Sequence, residues 1–378
     1  MHLTVSLTGS GHHPAAWRVS PLPAHPNAAT LQAMACTAER GGLDAVLLGL
    51  PAEMPADCLA RANTMILDPL PLLGSLIAVT NRIGLGAAWT VDYTEPYHVA
   101  RVFATLDHLS YGRTAWIASM FGTASLVPRI GRPAGPEDPP AYCARAGEFI
   151  DVAKQLWDSW EDEAFALDKP SGMFVDPERV YPIQHVGAFF SVRGPLNVPR
   201  PPQGNPVLVL HDPSTAAARP FVASTADVVL MDCASLPDAV ARYRDLRALA
   251  GRDTDVLRIL ANMVIVLDES ELVAQQRAAT LDAMIPPLPG STARFVGTPD
   301  QLVTTLLVWH EQHACDGFNF LPAVMPHDLD QLVDAVFPRL QRHGLRPAAY
   351  PGATLREHLG LPRPRSQFAT RAPMGLAS

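Results

Sequence analysis

The chain has little of several features that mark other classes of protein. Its cysteines number five and never stand in CxxC spacing, which excludes a disulfide framework and a zinc site of Cys pairs. No run approaches the roughly 18 uninterrupted apolar residues of a membrane-spanning helix. The formal net charge of −8 argues against nucleic acid or an anionic membrane as a partner. The start, MHLTVSLTGSGHH, is typical of a strand rather than a signal peptide, and we expect a cytoplasmic protein with reduced thiols.

What the chain does contain is a regular alternation of two patterns. Apolar residues make up 48% and charged residues 17% of 378 residues, so a large buried core is expected. Eight short β-rich runs are separated by amphipathic helical stretches. The predicted strands are 2–7, 44–48, 83–90, 114–119, 207–211, 227–231, 259–266 and 317–321, and the clearest predicted helices are 29–40, 142–160, 236–250 and 299–313.

Eight strands alternating with helices indicate a parallel α/β fold, and the number eight favours closure into a (β/α)8 TIM barrel. The alternative is an open doubly wound sheet, but no GxGxxG follows the first strand. We predict one barrel domain over residues 1–361, with an excursion at 169–206 that contains a hairpin turning at Gly187 and Gly194. Residues 362–378 form a C-terminal tail.

The first predicted strand ends close to two adjacent histidines. In a barrel, residues just past the carboxyl end of a strand face the active mouth. His12 is therefore a candidate general acid or base, or a group that orients the substrate. The alternative is that His12 and His13 only cap a turn. No spaced carboxylate or second histidine pair accompanies them, so no metal site is predicted.

Two further segments carry candidate residues. Tyr97 and His98 begin the helix after the third strand, where a helix N-terminus can receive an anion; the alternative is a helix start with a buried aromatic and a structural Arg–Glu pair. His211-Asp212-Pro213-Ser214 follows the fifth strand, where Ser214 and backbone N–H groups can cradle a phosphate or simply cap a helix. Asp107-His108 precedes a strand, so it lies at the bottom of a barrel and is predicted to be structural.

Several blocks, in order along the chain, resemble one family. They include MHLTVSLTGSGHHPAAWR, DPLPLLGSLIAVTNRIGLG, EPYHVARVFATLDHLSYGR, VGTPDQLV and DGFNFLP. The chain is similar to the luciferase-like flavin monooxygenases of the nitrilotriacetate and dibenzothiophene-sulfone type. The resemblance implies a luciferase-like barrel, reduced FMN supplied by a separate flavin reductase, O2 and a small organic substrate. It also implies a dimer or tetramer, with a homodimer or a heterodimer with a paralogue expected here. Only 268–294 spans the gap before the last strand, so the family's insertion at that place is shortened.

The resemblance also assigns roles by position. It places the flavin site at Leu50, Ala88, Ile117, Cys143, His211, Asp212 and Ser214. From their places after strands and at a helix start, we predict catalytic roles for His12, Tyr97 and His98, and a substrate pocket formed by His13, Trp17, Trp89, Met120 and Phe121. The flavin site is degenerate: Ile117 stands where the family has an Asn amide, and Pro213 has no N–H to donate in the phosphate turn.

The family resemblance and the altered flavin positions together allow two functional hypotheses. The first is a two-component monooxygenase that uses reduced FMN and O2 to oxygenate a small organic substrate. The second is a flavin-free homologue, either a non-catalytic subunit in a heterodimer with an active paralogue or a repurposed non-redox enzyme of secondary metabolism. Function resides in the site rather than in the fold, so the family alone does not decide between them.

Overall fold

The structure is a computed structural model, and it describes residues 1–23, 27–49, 67–120, 138–213, 215–251, 256–287, 290 and 292–368. Eight parallel strands close into a barrel: β1 (His2–Ser6), β2 (Ala45–Leu48), β3 (Gly84–Thr90), β4 (Thr114–Ser119), β7 (Val207–His211), β8 (Val228–Met231), β9 (Arg258–Leu267) and β11 (Gly317–Pro322). They pair in this order, and β11 returns to β1. The predicted TIM barrel is confirmed, with each strand within two residues of its predicted ends.

Helices cover the outside of the barrel. They are α1 (Ala28–Arg40), α2 (Pro69–Ile77), α3 (Pro96–Leu109), α4 (Pro139–Trp157), α5 (Arg219–Thr225), α6 (Leu236–Ala250), α7 (Glu271–Met284), α8 (Pro299–Glu311), α9 (His327–Gln331), α10 (Phe337–Arg342) and α11 (Leu355–His358), with a π-helical turn at Leu332–Val336. Many begin at a side-chain cap: Asn27, Asp68, Asp138, Ser235 and Thr298 each accept a hydrogen bond from an N–H of the first turn.

The excursion between β4 and β7 forms the predicted hairpin, with β5 (His185–Val186) antiparallel to β6 (Ser191–Val192). Gly187 lies in its turn, where its N–H bonds to the carbonyl of Phe190. Gly194, with φ of 64°, adopts the left-handed backbone conformation that favours glycine.

One strand was not predicted from the sequence. β10 (Ala293–Gly297) pairs in parallel with the second half of β9, outside the closed barrel. It was missed because ARFVG is short and lacks a clear alternation of apolar and polar residues. The described residues between β9 and α8 therefore form the helix α7 and this strand.

The barrel is closed at its lower end and tied together there. Leu355, Leu359 and Leu361 pack in one apolar cluster with the barrel-interior residues Ala45 and Val207. The chemistry must therefore take place at the opposite, carboxyl end of the strands.

The first residues of the C-terminal tail are fixed to the barrel. Arg363 forms a two-pronged ion pair with Asp162, with N–O distances of 2.6 and 2.7 Å. Phe368 is buried and stacks on Tyr181 at 5.5 Å between ring centroids. Residues 369–378 lie outside the described part of the chain.

Candidate active site at the barrel mouth

One half of the barrel interior carries a continuous polar network. Thr4 donates to Asn319 Oδ1 over 2.9 Å, and Asn319 Nδ2 donates to Asn262 Oδ1 over 2.8 Å. Asn262 Nδ2 in turn donates to Asp232 Oδ1 over 3.0 Å. Thr292 donates to the same carboxylate oxygen over 2.8 Å. Four strands, β1, β11, β9 and β8, thus present their polar groups to one connected chain of hydrogen bonds.

The register and the pleat of the strands bring the side chains of this network together. Thr4 pairs with Asn319, and Asn319 pairs with Asn262, so the three side chains lie at one level on the interior face. Asp232 follows the last residue of β8, at the carboxyl end where barrels place their chemistry. Thr4, Asn262 and Asn319 are all less than 5% exposed, so the network is an interior feature.

His12 lies beside this network. Its Nε2 is 3.3 Å from the carbonyl oxygen of Ser6, the last residue of β1. Burial lowers the pKa of His12 to about 4, although the Ser6 carbonyl acts in the opposite direction. The ring is therefore neutral near pH 7. Because a carbonyl only accepts, Nε2 carries the hydrogen and Nδ1 is left as an acceptor.

His13 is committed to a structural contact. Its Nδ1 accepts from the N–H of Ala15 at 3.1 Å, so its Nε2 donates to Asp282 at 3.1 Å. Asp282 also binds Arg294. Burial, the largest influence, lowers the pKa of His13. Both ring nitrogens thus serve to join the loop after β1 to α7.

Tyr97 and His98 lie at the start of α3 as predicted, but they face away from the polar network. The Tyr97 hydroxyl donates to Asn197 of the excursion at 3.3 Å, and the exposed His98 ring meets Tyr97 edge-on at 6.4 Å. The loop just before them is tied to α4: Asp92 accepts from Thr90 and from the Tyr142 hydroxyl, the latter at 2.7 Å.

The flavin positions on β3 and β4 are apolar and closed. Ala88 pairs in register with Ile117, and each is 2% exposed. They pack with Leu47 and Val209 in the apolar half of the barrel interior. Neither side chain offers a hydrogen bond to an isoalloxazine ring. Cys143 lies half-buried on α4, and burial raises the pKa of its thiol.

In the turn that was predicted to hold a phosphate, Asp212 binds arginine side chains instead. Asp212 is turned to the outer side, where it accepts from Arg242 at 2.7 Å and from Arg219 at 3.3 Å, with a side chain 1% exposed. Burial, the largest influence, raises the pKa of Asp212, and the two arginines lower it. Both arginines are thus occupied by a carboxylate of the protein.

His211, by contrast, faces the mouth. The residue is exposed at the carboxyl end of β7; burial of the ring among its neighbours lowers its pKa, and the charge of Asp232 acts in the opposite direction. Together with Met120, Asp212 and Pro213 it lines a cavity of about 170 Å³ between β4, β7 and α5. The described residues at the flavin positions do not fit FMN: they present apolar walls, a neutral imidazole and a proline without an N–H.

The remaining predicted residues are placed as follows. Trp17 is 38% exposed beyond the first strand. Trp89 is half-buried, and its indole N–H is buried without a hydrogen-bond partner among the described residues. Leu50, Phe121 and Ser214 lie outside the described residues. The predicted roles of all these residues in binding or catalysis stay predictions.

Asp107 is structural, as its place before a strand indicated. It lies at the lower end of the barrel, fully buried, and accepts from Thr114 N and from both nitrogens of Gln203. Burial raises its pKa to about 6 despite these hydrogen bonds.

Sequence reasoning missed Asp232, Asn262 and Asn319. A signal was present, because Asn262 interrupts the apolar run ILANMVIVL and Asn319 interrupts GFNFL. An amide in the middle of a buried strand needs a partner, which marks the polar side of a barrel. Within the described ranges, no group of three or more His, Cys, Asp or Glu side chains is arranged to hold a metal ion. Nor does any helix there have the length and apolar character to cross a bilayer.

Comparison with known proteins assigns the barrel to a family. The model of the luciferase-like monooxygenase family matches residues 5–314. N-acetyl-S-(2-succino)cysteine monooxygenase of Bacillus subtilis (strain 168) is 34% identical over 435 aligned positions, covering 97% of this chain and 98% of that protein. EDTA monooxygenase from Chelativorans sp. BNC1 superposes with a TM-score of 0.84 at 25% identity, covering 96% and 99% of the two chains. The chain belongs to the luciferase-like monooxygenase family.

Two further relatives differ in length. The alignment with nitrilotriacetate monooxygenase component A of Aminobacter aminovorans, 34% identical, extends over 447 positions and 98% of each chain. That exceeds 378 residues, so this relative has segments that are absent here. The alignment with one of the named subunits of pristinamycin IIA synthase of Streptomyces pristinaespiralis, 33% identical, extends over 332 residues and 88% of each chain. Because 88% of 378 is about 332, that alignment is almost free of gaps.

Proposed function

We propose that the chain is the oxygenating component of a two-component monooxygenase, which uses reduced FMN from a separate flavin reductase and O2 to oxygenate a small organic substrate. One observation carries this proposal: the luciferase-like monooxygenase model matches residues 5–314, and named monooxygenases match the chain over nearly its whole length. The name "component A" of one relative supports the expectation of a separate reductase.

In this proposal the chain's own residues bind and orient the substrate. The polar network ending at Asp232 lies on one side of the barrel interior, and the buried apolar cluster around Ile117 closes the other side. His12 is neutral near pH 7 because its pKa is lowered to about 4, so its Nδ1 is able to accept a proton. Because the side chains of Ala88 and Ile117 offer no hydrogen bond, other groups of the same pocket would have to hold the flavin.

A second candidate is favoured by two specific observations. The Ala88–Ile117 pair is sealed and apolar, and the alignment to a protein named as a subunit of a synthase is almost free of gaps. In this alternative the chain is a flavin-free subunit in a heterodimer, and a paralogue with intact flavin contacts carries the redox chemistry.

The two candidates are separated by co-expression. The chain is purified alone and together with a luciferase-like paralogue of the same organism that has Asn at the position of Ile117. Each preparation is titrated with reduced FMN under anaerobic conditions, and its mass is measured by light scattering. Binding by the chain alone supports the oxygenating component, and binding only by a mixed dimer supports the heterodimer. Absence of binding and of a mixed dimer rejects both.

A further inference from the structure

Of the two carboxylate oxygens of Asp232, one accepts hydrogen bonds from described residues of the protein and the other accepts none from them. Its Oδ1 accepts from Asn262 Nδ2 at 3.0 Å and from Thr292 Oγ1 at 2.8 Å. Within the described parts of the chain, no side chain or backbone N–H donates to Oδ2, and no basic group lies within 4.0 Å of the carboxylate. The side chain is half-buried at the end of β8, so Oδ2 is accessible from the mouth.

The network behind Asp232 is directional. Thr4 donates to Asn319, Asn319 donates to Asn262, and Asn262 donates to Asp232. Every donor in this relay points toward the carboxylate, and Asn319 Nδ2 directs its other hydrogen to Ser6 Oγ at 3.0 Å. The relay therefore fixes the carboxylate in place and presents an acceptor, the free oxygen Oδ2, to a ligand.

The titratable groups near Asp232 do not supply a positive charge to its carboxylate. Burial lowers the pKa of both His12 and His211, so their rings are neutral near pH 7. His13 and Arg294 bind Asp282 instead. A partly buried carboxylate without a cation is costly, and a bound ligand that brings the cation removes that cost.

Two apolar side chains lie next to the polar network, on the side of the barrel mouth. Val264 and Leu321 follow Asn262 and Asn319 by two residues on β9 and β11, so they lie on the same interior face. They pair in register with each other, and both are only half-buried, whereas Met263 and Phe320 on the outer face are 2% and 0% exposed. A ligand whose charged end reaches Asp232 therefore meets an apolar surface with the rest of its body.

We propose that the mouth binds an organic ammonium ion, with the protonated amine on Asp232 Oδ2 and the apolar body against Val264 and Leu321. This inference rests on the proposed function in one respect: it takes the mouth as the substrate site and names the substrate class as apolar amines. A neutral alcohol would satisfy the hydrogen bond but leave the charge unmatched, so the ammonium form is expected to bind more tightly.

The test uses the intact protein without flavin. Calorimetric titration at pH 7 compares benzylammonium with benzyl alcohol, which has nearly the same shape and no charge. We expect the wild type to prefer benzylammonium by about tenfold or more, and Asp232→Asn to lose that preference. Asp245→Asn is the matched control, because it removes the same charge from the exposed face of α6 and should retain the preference. Equal affinity of the wild type for both compounds, or a preference that survives Asp232→Asn, overturns the proposal.

A second measurement covers the case in which Asp232→Asn does not fold. Wild-type crystals are soaked with 4-bromobenzylamine, and the anomalous signal of bromine locates the ring. The proposal expects the nitrogen within hydrogen-bonding distance of Asp232 Oδ2 and the ring against Val264 and Leu321. Binding elsewhere, or no binding, overturns it. Because no flavin is present, these outcomes are independent of whether the chain binds FMN.

Discussion

Asn262 Nδ2 donates to Asp232 Oδ1 over 3.0 Å, and this one contact joins the carboxyl end of β8 to the middle of β9. The same amide accepts from Asn319 of β11, so Asn262 bridges three neighbouring strands of the barrel. Its side chain is 4% exposed, and water cannot readily replace either partner. The polar wall of the mouth depends on it.

Replacing Asn262 by leucine should therefore destabilise the barrel. The substitution keeps the size but removes one hydrogen bond from Asn319 and one from Asp232, although Ser6 and Thr4 still pair with Asn319 and Thr292 still donates to Asp232. The lost hydrogen bond costs about 0.5–1.5 kcal/mol at the amide and about 1.5–3 kcal/mol at the carboxylate. We expect a total loss of roughly 2–5 kcal/mol in the free energy of unfolding, measured by urea denaturation. Gln275→Ala, on the exposed side of α7, is the control and should change stability by less than about 0.5 kcal/mol. An unchanged midpoint for Asn262→Leu would show that the network is not formed in solution.

Asp107 predicts a specific dependence of stability on pH. Its pKa is raised by burial to about 6 from an ordinary value of 3.8, so the folded state binds more protons than the unfolded state between these values. Stability contributed by this group is present below about pH 4 and lost as the pH rises through 6. Through this group, the unfolding free energy of the wild type should therefore decrease between pH 4 and pH 6.5. In Asp107→Asn the measured decrease should be smaller by roughly 2–3 kcal/mol. Asp245→Asn, the surface control, should retain the wild-type difference.

His12 should give the unfolding free energy the opposite dependence on pH. Burial lowers its pKa to about 4, so the folded state binds fewer protons than the unfolded state between pH 4 and 6.5, and stability falls as the pH falls through this range. His12→Gln should reduce this acid-induced loss by up to roughly 3 kcal/mol, measured by denaturation at pH 6.5 and pH 4.5. His343→Gln on the exposed surface is the control. An identical pH dependence in His12→Gln and wild type would place His12 in water rather than against Ser6.

The altered flavin positions offer a gain-of-binding experiment. Ile117→Asn supplies an amide to the mouth, and Asp212→Gly releases Arg219 and Arg242 from the carboxylate that now holds them. We expect the double variant to bind FMN at least about tenfold more tightly than the wild type, measured by quenching of flavin fluorescence.

Asp245→Ala is the control for this experiment. It frees one nitrogen of Arg219 but leaves Asp212 in place, so its FMN affinity should not change. Both variants are first checked for folding by circular dichroism. If the folded double variant binds FMN no better than the wild type, the flavin pocket has been placed wrongly.

The fold could be predicted from the sequence because its signals are local and repeated. Eight apolar runs bounded by turn residues fix eight strands, and right-handed parallel connections leave few ways to arrange them. β10 was missed because its five residues carry no periodic pattern, and its position is set by pairing with the extended end of β9.

The candidate site was predicted only in part, and the reason is geometric. His12 could be placed near the mouth because it lies in the loop that follows the first strand. Asp212 was assigned to the same mouth, but the pleat turns it outward, where it meets two arginines from α5 and α6. The network of Asp232, Asn262 and Asn319 depends on register between strands that are far apart in sequence, which no local pattern reveals.

The central claim, that this barrel is the oxygenating component of a two-component monooxygenase, is tested most directly by an anaerobic titration of the purified wild-type chain with reduced FMN, followed by mixing with O2. We expect saturable binding in the micromolar range and a slower reoxidation of the bound flavin than of free reduced FMN. No binding of reduced or oxidised FMN, together with reoxidation at the rate of the free flavin, would contradict it.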